Sequence, residues 1–85
     1  MEEKLELATE REDQRPEARY AYGLTPRELT IVKLLAAGKS NKEIAVALSI
    51  SPVTVSSHVK SILRKMHANS RAEAAVRAVR EALVS

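Results

Sequence analysis

The chain has 85 residues, a formal net charge of +3, no cysteine, Phe or Trp, and two tyrosines, Tyr20 and Tyr22. Such a length folds into one small domain and excludes large multi-part enzyme architectures, and the scarcity of aromatic rings argues against RNA-binding surfaces that stack bases on them. The missing thiols exclude disulfides, thiolate nucleophiles and thiolate metal sites, and are compatible with a reducing cytosol.

The charge is divided along the chain. Residues 1 to 24 carry four basic and seven acidic side chains, whereas residues 25 to 85 carry ten basic and four acidic ones. The opening Met1-Glu2-Glu3-Lys4 lacks the apolar region of a signal peptide. The longest stretch without a formal charge, Ile44 to Val59, is too short for a membrane span and contains Pro52. A cytoplasmic protein with no membrane partner is expected. Residues 1 to 23 read as a charged tail or linker, with a weak helix around residues 3 to 13. Leu5, Leu7 and Ala8 supply too little apolar area to fold alone, Pro16 interrupts any helix, and the rows Glu2, Glu6, Glu10 and Arg11, Arg15, Arg19 repel along a helix face. An acidic element docking on a partner or on the basic domain is the functional alternative.

From Leu24 onward the signal is a series of helix starts. Thr25-Pro26-Arg27-Glu28 is a capping box with proline at the first helical position, and Leu24 and Leu29 are placed as a hydrophobic staple. Leu29, Val32, Leu35 and Ala36 repeat at helical spacing and Gly38 supplies the left-handed residue that ends a helix, which predicts a helix over about 26–37. Ser40-Asn41-Lys42-Glu43 is a second box, opening a short helix with Ile44, Ala45 and Leu48 inward. Ser49-Ile50 interrupts it, and Ser51-Pro52 starts a third helix over about 52–66. Two helices so close must cross steeply, the spacing of a helix-turn-helix, with Ile50 buried in the turn. In the third helix Val55, Val59, Ile62 and Met66 form one apolar stripe, opposite Ser57, Lys60, Ser61 and Arg64. Ser70-Arg71-Ala72-Glu73 is a third box, and Ala72, Val76, Val79 and Leu83 are the expected inner stripe of a last helix over 71–84. The fold class is all-α, a four-helix, bundle-like helix-turn-helix domain over residues 24–85.

Lys39, Lys42, Lys60, Arg64, Lys65 and Arg71 lie within or beside the second and third helices, where Glu43 is the only acid. A cluster of this kind attracts a polyanion, since each cation that neutralises a phosphate releases counterions. Ordinary solvated charge explains a basic cluster equally well. The placement around the outward face of the second helix of a helix-turn-helix favours duplex DNA, because such modules lay that helix in the major groove.

Several segments together resemble the DNA-binding domain of LuxR/NarL/FixJ-type bacterial transcription regulators, over about residues 24 to 84. They are Leu24-Thr25-Pro26-Arg27-Glu28, Gly38-Lys39-Ser40-Asn41-Lys42-Glu43-Ile44-Ala45, Leu48-Ser49-Ile50-Ser51, Thr54-Val55, His58-Val59, Ile62-Leu63-Arg64-Lys65-Met66 and Asn69-Ser70-Arg71-Ala72-Glu73-Ala74. The resemblance implies a transcription regulator whose recognition helix, 52–66, reads the major groove. Carried over by position, Ser56, Ser57 and Lys60 fall at base-contacting places, and Asn41, Lys42, Thr54, His58, Arg64, Lys65 and Arg71 at or near phosphate-contacting ones. Ser56 departs from the long polar side chain that many members carry after Thr-Val, which leaves Lys60, able to reach guanine O6 and N7, as the main reader. Val53 faces outward and is placed to touch a thymine methyl.

The last helix also carries Ala74, Ala78 and Ala82, a row of small side chains that would let another helix approach. In the resembled family this helix mediates dimerisation, so a homodimer on an inverted-repeat operator is expected, and RNA polymerase is a further candidate partner. The family's larger members add a receiver or a sensor domain, so the chain is either a stand-alone regulator or the output domain of a response regulator. A sigma-factor-like promoter-binding domain and a small interaction protein that blocks a larger homologue are the competing readings. No enzyme is expected: Ser57 and His58 lie about 100° apart on a helix with no carboxylate between Glu43 and Glu73 to orient the imidazole. No cofactor is implied, and His58 and His67 lack the further ligands of a metal site.

Overall fold

The computed structural model describes residues 21–83; the tail up to residue 20, with the helix expected around residues 3 to 13, lies outside the described residues. Each helix start reads into a real helix: α1 (Pro26–Ala36), α2 (Asn41–Leu48), α3 (Pro52–Met66) and α4 (Arg71–Arg80), with no strand among the described residues. The caps form as the residue types dictate. Thr25 Oγ1 accepts the Glu28 N–H at 3.0 Å while Glu28 Oε1 accepts the Thr25 N–H at 2.9 Å. Ser40 and Glu43 repeat this exchange at 2.8 and 3.1 Å. Ser51 and Ser70 accept the amides of Thr54 and Glu73. The last box is incomplete, because Glu73 Oε1 takes the Asn69 N–H at 2.7 Å in place of the cap residue's own.

The helix ends share one device. After α1 the Gly38 and Lys39 amides donate back to Leu35 and Leu34, after α2 those of Ser49 and Ile50 to Val46 and Ala45, after α3 those of His67 and Ala68 to Arg64 and Leu63, and after α4 those of Ala82 and Leu83 to Val79 and Ala78. This double bond requires a left-handed residue at each end. Gly38, Ser49, His67 and Ala82 have φ of 83°, 57°, 55° and 58°. α4 therefore stops at Arg80 rather than running to 84 as expected. The reversal at Ala82 turns Leu83 back under the domain, where it is buried, so its burial outweighs the cost of a left-handed alanine.

α3 packs against α1, α2 and α4, and α1 packs against both α3 and α4. Two-sided packing explains why Ile31, outside the expected stripe, is fully buried together with Val32, Ile44, Val55, Ile62 and Met66. The chain bends by 110° between α2 and α3, within the range of a helix-turn-helix; Ile50 in the turn is half-buried rather than buried. No single helix among the described residues is long and apolar enough to cross a membrane.

α4 corrects the expected inner stripe. Ala74 and Ala78 are fully buried, whereas Val76 and Val79 are 53% and 59% exposed and Ala72 is exposed. Alanine wins the inner position because its small side chain lets the α4 backbone approach α1 closely enough to fill space without a void.

Removing the left-handed strain after α4 while keeping the reversal should stabilise the fold. Ala82→Gly is expected to raise the urea midpoint, by about 0.5–1 kcal/mol of stability, and Gly38→Ala to lower it by about 1 kcal/mol. An unchanged or lowered midpoint for Ala82→Gly would mean that the reversal contributes no strain.

Candidate nucleic-acid interface

α3 is a 15-residue helix with Val55, Val59, Ile62 and Met66 buried on one side. Val53, Ser57, Lys60 and Arg64 recur at the same spacing, displaced by roughly half a turn, and all four are exposed. They make a ridge about 16 Å long with one apolar, one hydroxyl and two cationic side chains. α3 contains no acid. Ser56 and His58 flank the ridge on opposite sides and are half-buried, while Thr54 is exposed with its hydroxyl 2.9 Å from that of Ser51. A B-form major groove is about 12 Å wide and admits one such helix.

Ser61, half-buried beside this ridge, turns its hydroxyl toward α1, which corrects its expected place on the outward face. Its hydroxyl donates to Glu28 Oε2 at 2.8 Å, and one turn on, Lys65 Nζ donates to Glu28 Oε1 at 2.7 Å. The Glu28 carboxylate, 6% exposed, thereby closes the α1 cap and grips α3 at two places, and the lysine is itself only 26% exposed. Burial by itself would raise the pKa of this carboxyl group. The bonds from Lys65, the Thr25 N–H and Ser61, with the lysine's charge, outweigh burial and hold it at about 2. Glu43 is likewise held below the usual carboxylate range, mainly by the Ser40 N–H, but on an exposed helix start.

Two other expected phosphate contacts are brought together. Arg71, the first residue of α4, donates to Asn41 Oδ1 at 2.7 Å and to the Lys39 carbonyl at 3.0 Å. The guanidinium thus straps the loop before α2 to α4. Lys39, Lys42, Lys60 and Arg64 are exposed and none forms an ion pair among the described residues. Lys42 sits at the amino end of α2, where free amides and the helix dipole add to its pull on an anion. Arg77 was not singled out by the sequence pattern. It pairs with Glu73 at 2.7 Å, legible as an i+4 spacing, and it also donates to the Met66 carbonyl at the end of α3, which nothing local in the sequence signals.

The alanine row is corrected as a docking surface. Ala74 and Ala78 face the domain's own core, and Ala82 lies in the turn beyond α4. What α4 offers to solvent is a shallow apolar groove lined by Ala36, Ala75, Val76, Val79 and Arg80. Among the described residues no three His, Asp or Glu side chains converge on a point that could hold a metal ion.

The chain is similar to known proteins. The family model for bacterial regulatory proteins of the luxR family matches residues 22–78. The chain is 57% identical over 53 residues to the nitrate/nitrite response regulator protein NarL of Escherichia coli, covering 62% of this chain and 24% of that protein. It is 48% identical over 65 residues to the uncharacterized transcriptional regulatory protein YhcZ of Bacillus subtilis, covering 76% and 30%. It is also 48% identical over 62 residues to the transcriptional regulatory protein LiaR of that organism, covering 73% and 29%. The chain spans less than a third of the length of these relatives.

The Glu28 clamp has a defined pH signature. Its folded pKa of about 2 lies below the unfolded value of about 4.3, so its contribution is fully present above about pH 5 and is lost as the pH falls toward 2. Linkage puts that contribution at up to about 3 kcal/mol. Urea titrations of the parent and of Glu28→Gln are expected to differ by about that amount at pH 7 and to converge near pH 2. A stability difference that does not change with pH would show that the charge of Glu28 is not what holds α3.

Proposed function

Since the chain belongs to the luxR family of bacterial regulatory proteins, we propose that it binds duplex DNA in a sequence-specific way and regulates transcription, with α3 in the major groove. The observation that carries this reading is the exposed ridge of Val53, Ser57, Lys60 and Arg64, on a helix without acids whose other side is locked into the core. In this reading Lys60 is the main base reader, with Ser56 and Ser57 bonding to base edges and Val53 against a thymine methyl. Lys42, Arg64, Asn41, Thr54 and His58 lie along the phosphates on either side. Lys65 and Arg71, engaged with Glu28 and Asn41, act chiefly by holding α3 and α2 in register, since a cation already paired gains less from a phosphate.

Two copies bind together, through the valine face of α4 rather than through its alanines. Paired recognition helices then meet half-sites about one DNA turn apart. The relatives named as regulators are three to four times longer than the matched segment, and the chain acts as the output domain of such a regulator.

Selection of bound DNA from a random pool should return a motif with two inverted half-sites; retention of no DNA at low salt would overturn the function. On that motif Lys60→Ala is expected to cost about 1–3 kcal/mol at one base pair. Lys42→Ala should weaken binding evenly across sequences and lower the salt slope by about 1. If Lys60→Ala weakened operator and random DNA equally, Lys60 would be a phosphate contact. In sedimentation the parent should place two protomers on the operator and Val79→Asp one; a single protomer for the parent would remove the dimer.

A further inference from the structure

We propose that the acidic amino-terminal segment, residues 2–13, docks on the groove between the end of α1 and α2 and there competes with phosphate for Lys39 and Lys42. The groove encloses about 400 Å³ and is lined by Leu34, Val46, Ala47, Lys39, Lys42 and Glu43. Val46 is an apolar residue 76% exposed, and nothing in the domain covers it. Two exposed lysines form the rim, while the one acid there, Glu43, is turned to the helix start, its Oε1 accepting the Ser40 N–H at 2.8 Å.

The segment complements this surface. It holds Glu2, Glu3, Glu6, Glu10, Glu12 and Asp13 against Lys4 and Arg11, and Leu5 and Leu7 are its large apolar side chains. Leucines on the Val46 floor with glutamates toward Lys39 and Lys42 satisfy both chemistries at once. The other exposed apolar groove, along Val76 and Val79, offers a single cation, Arg80. Reach is sufficient: the described chain begins beside Tyr22, whose hydroxyl bonds to Glu81 just past α4. From there to Leu7 the backbone can extend about 46 Å, more than the roughly 30 Å across a domain of this size.

Tethering makes weak affinity enough. Covalent attachment over this length gives an effective concentration of about 1 mM, so an intrinsic dissociation constant near that value leaves the groove occupied in about half of the molecules. Its consequence for DNA rests on the function proposed above; the docking itself does not.

The chain has no cysteine, so a nitroxide on Ala8→Cys marks the segment uniquely in the full chain. Paramagnetic broadening of amide signals is expected at Leu34, Lys39, Val46 and Ala47, and it should be relieved both by Leu5→Ser with Leu7→Ser and by Lys39→Glu with Lys42→Glu. Broadening that is absent, spread evenly, centred on Val76 and Val79, or dependent on protein concentration would overturn the docking. The double leucine variant should also bind DNA about twofold more tightly, as expected from freeing a groove that is occupied half of the time. Unchanged affinity with the broadening relieved would overturn the competition with phosphate. If the broadening is found and no DNA binds to any variant, the docking stands and the DNA-binding function fails.

Discussion

The rest of this small domain depends on where one buried carboxylate finds its donors. Glu28 is an ionised group with almost no access to water, and an unpaired charge in such a place would cost several kcal/mol. The chain answers with the Thr25 N–H from its own cap and with Ser61 and Lys65 from α3. Those two residues lie one turn apart, so satisfying Glu28 sets both the rotation of α3 about its axis and its position along α1. The ridge of Val53, Ser57, Lys60 and Arg64 points outward as a consequence, because the opposite sides of the helix are already committed.

This sorting separates cations that hold the fold from cations left to act. Lys65 neutralises Glu28, Arg71 bonds to Asn41 and the Lys39 carbonyl, and Arg77 bonds to Glu73 and the end of α3. Each of these cations is committed to an acceptor within the domain. Lys39, Lys42 and Lys60 have no such duty among the described residues, Arg64 makes only a long bond to Ser61 Oγ at 3.5 Å, and all four remain exposed. In the proposed function these are the charges left to attract phosphate, since each cation that neutralises a phosphate releases counterions.

Helix ends show a related balance between local preference and packing. Only one of the four reversals uses glycine; Ser49, His67 and Ala82 adopt left-handed backbone at a cost of about 1–2 kcal/mol each. What they gain lies one residue further on, where Ile50, Ala68 and Leu83 turn inward against the core. The turn between α2 and α3 is one of these reversals, so the steep crossing of the two helices is held by Ile50 rather than by an intrinsically favourable turn residue.

Local chemistry was legible without coordinates. Cap residues, proline at two helix starts, Gly38 and the stripe of Val55, Val59, Ile62 and Met66 concern side chains within about one turn of one another, so spacing alone specifies them. These specify the four helices, the helix-turn-helix and, Ser61 excepted, the outward face of α3, while the family was legible from the resemblance of whole segments. Partners far apart in the chain were not. The pairing of Glu28 with Lys65 and Ser61, the strap from Arg71 to Asn41, and the choice of Ala74 and Ala78 over Val76 and Val79 for the inside of α4 depend on how close two backbones come. That distance is set jointly by all the elements packed on α1. Periodicity marks which residues of α4 are apolar, but only contact with α1 selects small side chains for the interior and leaves the valines outside.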